Sequence, residues 1–353
     1  MMTTKKVMIM AGGTGGHVFP GIAIAHALRK KGIEVVWLGT QVGMEKPWVE
    51  KAKIPFDAID IRGLRGNGLL GWLQAPINVT RAMWQAKAIM TQQQPDLVLG
   101  MGGFVCGPGG LAAKMKGLPL VIHEQNAIPG LTNRLLAHLA DQVFTAFPQA
   151  SLKGDKVKLV GNPVRAELEK VPPVQPHQPR HLLVLGGSRG ALALNEIVPF
   201  ALAQLPPDER PQVWHQSGEK TFEQAKKAYQ QAGVEAKVTP FIAEMQEAYE
   251  WADLVISRSG ALTVSELMAT ARPAIMVPFP YAVDDHQTAN AQVLIEMGGG
   301  EVIQQSELTV ERLKCALETW LAEEKLQQAS QAIRQQAPHH ATEKIVELLE
   351  KCL

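Results

Sequence analysis

Cysteine, net charge and metal-binding spacing are all scarce in this sequence. The three cysteines, Cys106, Cys315 and Cys352, are odd in number and scattered. That excludes a disulfide framework and fits a reducing cytoplasm. The formal net charge is +1 over 353 residues, so no global field draws the chain to nucleic acid. No apolar run is long enough to span a bilayer. Residues 1–6 run straight into a strand-like segment, which predicts no signal peptide and a protein that is cytosolic or rests on a membrane surface. There is no Asp-x-Asp, no His-Glu-x-x-His, no paired Cys-x-x-Cys and no Walker A motif. We therefore expect no metal and no cofactor. G-x-G-x-x-G is missing as well, because Val18 stands where its last glycine belongs, and the second strand ends in Gly39-Thr40 without a ribose-binding acid. Nicotinamide and ATP sites are disfavoured accordingly.

What is abundant is glycine at strand ends. The segment KVMIMAGGTGGHVFPG opens with a short apolar run that reads as a buried parallel strand. It breaks at Gly12, Gly13, Thr14, Gly15 and Gly16, and a helix with apolar spacing (Ile22, Ala25, Leu28) follows. Strand, glycine turn and helix bring backbone N–H groups up to an anionic or sugar ligand. His17 falls where the helix begins. The positive end of the helix dipole disfavours a proton there, leaving an imidazole able to accept one. A plain helix-start histidine after a common α/β turn is the competing reading.

Apolar runs alternate with helical patterns throughout, the mark of parallel sheets covered on both faces. Strands are expected near 7–11, 33–38, 55–59, 96–100, 119–123, 142–145 and 157–160. The stretch 171–180, VPPVQPHQPR, carries four prolines and no apolar period, which reads as linker. Beyond it the pattern restarts at 181–185, followed by GGSRG and a helix, an echo of the opening glycine turn. The expected fold is α/β with two Rossmann-like, doubly wound parallel-sheet domains facing a cleft. The expected boundaries are 1–165, linker 166–180 and 181–338, with a terminal helix, 339–353, that packs back on the first domain or stays apart.

Two further stretches carry polar groups on strand ends. In the first half these are LVLGMGGFVCGPGG, with Gly102 and Gly103, then His123-Glu124-Gln125-Asn126, and GNPVR with Arg165 placed for phosphate. In the second half SRSGALTVSELMAT opens a helix in which Glu266 suits the two hydroxyls of a ribose. Thr263-x-x-Glu266 also has the form of a capping box, and both readings stand. Residues 71–90 form an unusual helix. Trp72, Pro76, Val79, Met83 and Met90 share one stripe, and Leu73, Ile77 and Trp84 lie beside it. The apolar arc spans roughly 160°, against roughly 100° for an ordinary core-facing helix. Either it is thickly buried, or Leu73, Ile77 and Trp84 dip into a lipid interface while Arg62, Arg65, Arg81 and Lys87 meet anionic headgroups.

Seven motifs, AGGTGGHVFPG, MGGFVCGPGG, HEQN, GNPVR, GGSRGA, SGALTVSE and DDHQTANA, occur in this order over most of the chain. Together they resemble the bacterial UDP-N-acetylglucosamine:undecaprenyl-diphospho-muramoylpentapeptide N-acetylglucosaminyltransferases, which convert lipid I to lipid II in peptidoglycan synthesis. The resemblance implies a GT-B fold and an inverting, metal-independent transfer at the cytoplasmic face of the inner membrane, where the enzyme is peripheral. It implies UDP-N-acetylglucosamine contacts at Thr14, Gly15, Gly16, Asn126, Arg165, Ser188, Ile242, Ala261, Leu262, Thr263, Val264, Ser265, Glu266 and Gln287. His17 is then the candidate base and Glu266 the ribose ligand. The acceptor diphosphate falls to Gly12, Gly13, Gly102 and Gly103. Other cell-wall and division proteins become candidate partners. Arg189 departs from the family, which more often has glutamine after Ser188. The nearest rivals are another GT-B UDP-sugar enzyme, such as a glycolipid glycosyltransferase or an epimerase, and then an NAD-dependent oxidoreductase.

Overall fold

The computed structural model describes residues 4–13, 15–61, 68–148, 151–187 and 190–353, with side chains for all of these except 68–75 and 283. The chain divides into two compact units, residues 1–164 with 340–353, and residues 165–339. In the first, strands β1 (Lys6–Ala11), β2 (Glu34–Thr40), β3 (Phe56–Ile59), β4 (Leu97–Gly102), β5 (Leu120–Glu124), β6 (Gln142–Thr145) and β7 (Val157–Leu159) alternate with α1 (Gly15–Lys30), α2 (Glu45–Lys51), α3 (Gly68–Gln93), α4 (Cys106–Met115) and α5 (Leu131–Leu139). The second holds β8 (His181–Leu185), α6 (Leu192–Ala203), β9 (Gln212–Gln216), α7 (Phe222–Ala232), β10 (Lys237–Thr239), α8 (Met245–Trp251) and β11 (Leu254–Ser257). It continues through α9 (Ala261–Ala269), β12 (Ala274–Met276), α10 (His286–Glu296), β13 (Gly300–Val302), α11 (Val310–Trp320) and α12 (Glu323–Gln336). The last helix, α13 (Ala341–Glu350), returns to the first unit.

Every strand pair among the described residues is parallel. Strand order is β3-β2-β1-β4-β5-β6-β7 in the first sheet and β10-β9-β8-β11-β12-β13 in the second. A strand covered on both faces sends alternate side chains into two cores, and β1 shows how. Val7, Ile9 and Ala11 face a core shared with Ile24 and Leu28 of α1 and with Ile345 and Leu349 of α13. Met8 and Met10 face the opposite core, with Ala86 and Met90 of α3, Ala112 of α4 and Leu136 of α5. Helices α1 and α13 therefore cover one face and α3, α4 and α5 the other. In the second unit, Leu182 and Val184 of β8 pack with Leu194 and Val198 of α6 and Leu313 and Leu317 of α11.

The proline-rich stretch is not a loose tether. Val171 O accepts from Arg334, Pro172 O from Arg272 (2.9 Å), and Val174 N donates to Ser330 Oγ (2.9 Å). Prolines cannot complete a strand ladder, so the remaining carbonyls are met by side chains of the second unit. No helix among the described residues is long and apolar enough to cross a membrane.

Candidate functional site

In both sheets the chain reverses its direction of winding beside the first strand, between β1 and β4 and between β8 and β11. Ligands of open α/β sheets bind at such switch points, beyond the carboxyl ends of the strands. The glycine-rich motifs follow these four strands.

In the first unit, β1 ends at Gly12 and Gly13 and β4 at Gly102. Gly12 N donates to Gly102 O at 3.3 Å. Gly103, at φ 88°, lies so close that a Cβ there would come within 2.3 Å of Gly12 O. The two loops thus touch backbone to backbone, which no side chain would allow. Buried Glu45 braces them: its carboxylate accepts from Thr40 N at 2.7 Å, Thr40 Oγ1 at 2.6 Å and Gly13 N at 3.3 Å. A cavity of about 410 Å³ opens beside them, lined by Gly12, Gly13, Thr40, Val42, Gly43, Ile61 and Phe104. His17 lies in the first turn of α1, whose unpaired N–H groups face the same edge. Its Nδ1 is 2.9 Å from Gln125 Oε1.

Beyond β5 the HEQN motif is built from the inside. Glu124 is buried and accepts from Asn126 N (2.9 Å), Asn126 Nδ2 (3.2 Å), Gly130 N (3.1 Å) and Asn133 Nδ2 (2.9 Å). It therefore shapes the turn that presents Asn126. His123 Nε2 donates to Gly161 O at 3.0 Å, tying HEQN to the GNPVR segment. Burial lowers the His123 imidazole to about 4, so it is neutral.

In the second unit, Gly186 and Gly187 follow β8, and three residues, 258–260, separate β11 from α9. The capping-box reading of Thr263 and Glu266 is corrected. Gly260, in an extended conformation, is the N-cap of α9, and Thr263 is the third residue inside the helix. Glu266 is thereby freed for another role. Its Oε2 accepts from the hydroxyl of Tyr249 at 3.0 Å, and Oε1 lies 3.8 Å from the Arg165 guanidinium. Burial raises this carboxyl above the usual range, while Arg165 and Tyr249 pull it back. Its own burial, and then the Glu266 carboxylate, push the Tyr249 phenol up. Arg165, predicted near phosphate, thus sits beside the predicted ribose acid. Gln287, second in α10, accepts from Phe279 N at 2.9 Å and holds the preceding proline-rich loop. Ile242, after β10, is buried. Ala261, Leu262, Val264 and Ser265 occupy the first turns of α9, with Ser265 Oγ donating to Ala261 O at 2.8 Å. Gly15 and Gly16 open α1.

Thr14, Ser188 and Arg189, and the basic residues Arg62 and Arg65, lie outside the described residues, as do the side chains of Trp72 and Leu73. On α3, Ile77 and Trp84 are 70% and 54% exposed and point away from the core, where Ala82, Ala86 and Met90 lie. His177, His181 and Asp253 bring possible ligand atoms within 4.8 Å. They lie at the amino ends of β8 and β11, opposite the glycine loops. Asp253 is already spent on His177 N, His177 Nδ1 and His181 N.

Residues 7–145 match the glycosyltransferase family 28 N-terminal domain, and residues 181–345 match its C-terminal domain. The chain belongs to glycosyltransferase family 28. Its two Rossmann-like parallel sheets are the GT-B fold, and it is a glycosyltransferase. Family 28 relatives include a Hydrogenovibrio crunogenus protein, 64% identical over 349 residues, 99% of this chain and 98% of that one. It is named UDP-N-acetylglucosamine--N-acetylmuramyl-(pentapeptide) pyrophosphoryl-undecaprenol N-acetylglucosamine transferase. The crystal structure of Acinetobacter baumannii MurG is 40% identical with TM-score 0.84, covering 98% of this chain and 99% of that one. A Listeria monocytogenes protein described as a putative UDP-N-acetylglucosamine 2-epimerase shares the fold alone, at 17% identity and TM-score 0.67, over 99% of this chain and 96% of that one.

Tyr249 and Glu45 were not singled out as site residues from the sequence. Tyr249 lies 17 residues from Glu266 in another helix, and no local spacing signals their contact.

Proposed function

We propose that this family 28 enzyme transfers N-acetylglucosamine from UDP-N-acetylglucosamine to lipid I, giving lipid II. The observation that carries the reading is the pairing, in one chain, of His17 at the first sheet's switch point with the braced Glu266 carboxylate at the second's. The relative named for this reaction, 64% identical over nearly the whole chain, supports it.

The donor lies on the second unit. Glu266 holds the ribose hydroxyls, Ile242 meets the uracil through its main chain, and the diphosphate rests on the Ser188 loop with Arg165. Thr14, Gly15, Gly16, Asn126, Gln287 and the first turns of α9 complete the donor contacts. The acceptor diphosphate rests at Gly12, Gly13, Gly102 and Gly103, where the dipole of the neighbouring α1 N-terminus favours an anion. His17 takes the proton of the acceptor sugar hydroxyl as its oxygen attacks C1 of N-acetylglucosamine. The bond from C1 to the diphosphate oxygen breaks, UDP leaves with the electron pair, and the configuration inverts. The enzyme works at the cytoplasmic face of the inner membrane. Ile77 and Trp84 dip among the lipids, and Lys87, whose Nζ lies 4.8 Å from the Trp84 ring centroid, meets headgroups.

The test is transfer of labelled N-acetylglucosamine from its UDP ester to a shortened lipid I analogue in the presence of EDTA. Product supports donor, acceptor and metal independence together. Saturable donor binding without product overturns the acceptor, and no binding overturns the reading.

A further inference from the structure

Gln125 is the first residue beyond β5 and is only 1% exposed. Its side-chain amide is held at both ends. Nε2 donates to the carbonyl of Met101 at 2.6 Å, and Oε1 lies 2.9 Å from His17 Nδ1. A carbonyl oxygen only accepts, so the amide nitrogen has to face Met101 and the amide oxygen His17. That oxygen also only accepts. Nδ1 must therefore carry the imidazole proton, which leaves the lone pair on Nε2.

The rest of the surroundings keep this arrangement in place. Asn162 Nδ2 donates to the Gln125 carbonyl at 3.1 Å, fixing its backbone. Gly102, at φ 109°, lies against the imidazole, and a Cβ there would come within 2.6 Å of Nδ1. The ring is thus set by a glycine against one side and an amide at its edge.

We infer that Gln125 is a positioning residue for the transfer: it locks His17 as the Nδ1–H tautomer, so that Nε2 receives the acceptor's proton. The inference rests on the reading of His17 as the base. The choice of an amide has a chemical logic. A carboxylate would fix the same tautomer but would stabilise the protonated ring and hold the proton there after transfer. A neutral amide orients the ring without that added charge.

The test uses the full-length protein with UDP-N-acetylglucosamine and a water-soluble lipid I analogue. Gln125→Met keeps the side chain's length but neither donates nor accepts. Its kcat should fall about 10- to 100-fold, part of what a general base supplies, while KM for the donor stays within about twofold. In a His17→Ala background the same substitution should cost less than about twofold, because the two residues act as one unit. A full multiplicative loss in the double variant, or unchanged kcat in Gln125→Met, overturns the inference. Nitrogen-15 NMR of the histidine rings reads the tautomer directly in the wild-type protein, even if the variant fails to fold. A protonated Nδ1 on His17 is expected, and a protonated Nε2 overturns the assignment of Gln125 alone. Unchanged turnover in His17→Ala instead overturns the base reading, and with it any catalytic purpose for Gln125.

Discussion

His17 is held by an amide, and Glu266 by a phenol with a guanidinium beside it, and each makes a prediction of a different kind. His17→Ala should lower turnover by about 10²–10⁴ while leaving UDP affinity near normal, as measured by steady-state kinetics beside calorimetric titration. Glu266→Ala should weaken donor binding by about 1–3 kcal/mol, the cost of losing a hydrogen bond to a charged group. Thr263→Ala separates this from helix capping. A lost N-cap costs about 0.5–2 kcal/mol, but Gly260 holds that position. Denaturant unfolding should therefore show a change below about 0.5 kcal/mol for Thr263→Ala, and a full cap-sized loss would restore the capping-box reading. Cys106 gives a third residue-scale expectation. Its buried thiol is pushed up to about 12 by desolvation, and a thiol reacts as its thiolate. Ellman's reagent should label exposed Cys315 in the native protein and reach Cys106 only after unfolding.

The same division between local and long-range information runs through the elements. Seven apolar runs read from the first half coincide with β1 to β7 within about two residues, because strands of a sheet covered on both faces are mostly apolar along their length. Glycine loops at strand ends were legible for the same reason, since both are local patterns. Of the three-residue strands, β7 was legible while β10, β12 and β13 were not. The grip of Gln125 on His17 spans 108 positions and has no local signature at all. On α5, Leu131, Leu135 and Leu139 recur every fourth residue beside polar neighbours as an exposed stripe; Leu135 is 61% exposed. Helices α3, α4 and α5 cover the same face of the first sheet, and α5 adds exposed leucines to the exposed Ile77 and Trp84 of α3. Each buried apolar side chain is worth about 1.5–3 kcal/mol, so Trp84→Glu with Leu135→Glu should lower binding to anionic vesicles at least tenfold in sedimentation. Turnover on a water-soluble acceptor should stay the same. Equal loss in both assays would place these side chains in the fold or the acceptor site instead.

At the scale of the molecule, the chain passes between units only at 164–165 and 339–340, and each unit carries its own buried, neutral histidine. His123 in the first is lowered to about 4, and His215 in the second to about 3, in both cases chiefly by desolvation. In the unfolded chain both titrate near the usual histidine value of about 6.5. Between pH 6.5 and the lowered values the unfolded state binds more protons than the folded one, so stability falls as pH falls. The contribution is fully present above about pH 6.5 and is lost through the window down to about 4 for His123 and about 3 for His215. Each histidine sets a slope of at most about 1.4 kcal/mol per pH unit. Lowering the pH from 7.5 to 4.5 should thus cost each unit roughly 2–3 kcal/mol from this source. His215 makes its hydrogen bond to Tyr229 within the second unit, so a substitution there separates the two contributions. Hydrogen exchange read by mass spectrometry, which reports opening of each unit by itself, should show both units losing protection on acidification. His215→Phe should flatten that loss in residues 165–339 and leave it intact in residues 1–164. An equal pH response in the second unit of wild type and variant would assign its acid sensitivity to carboxylates rather than to the buried imidazole.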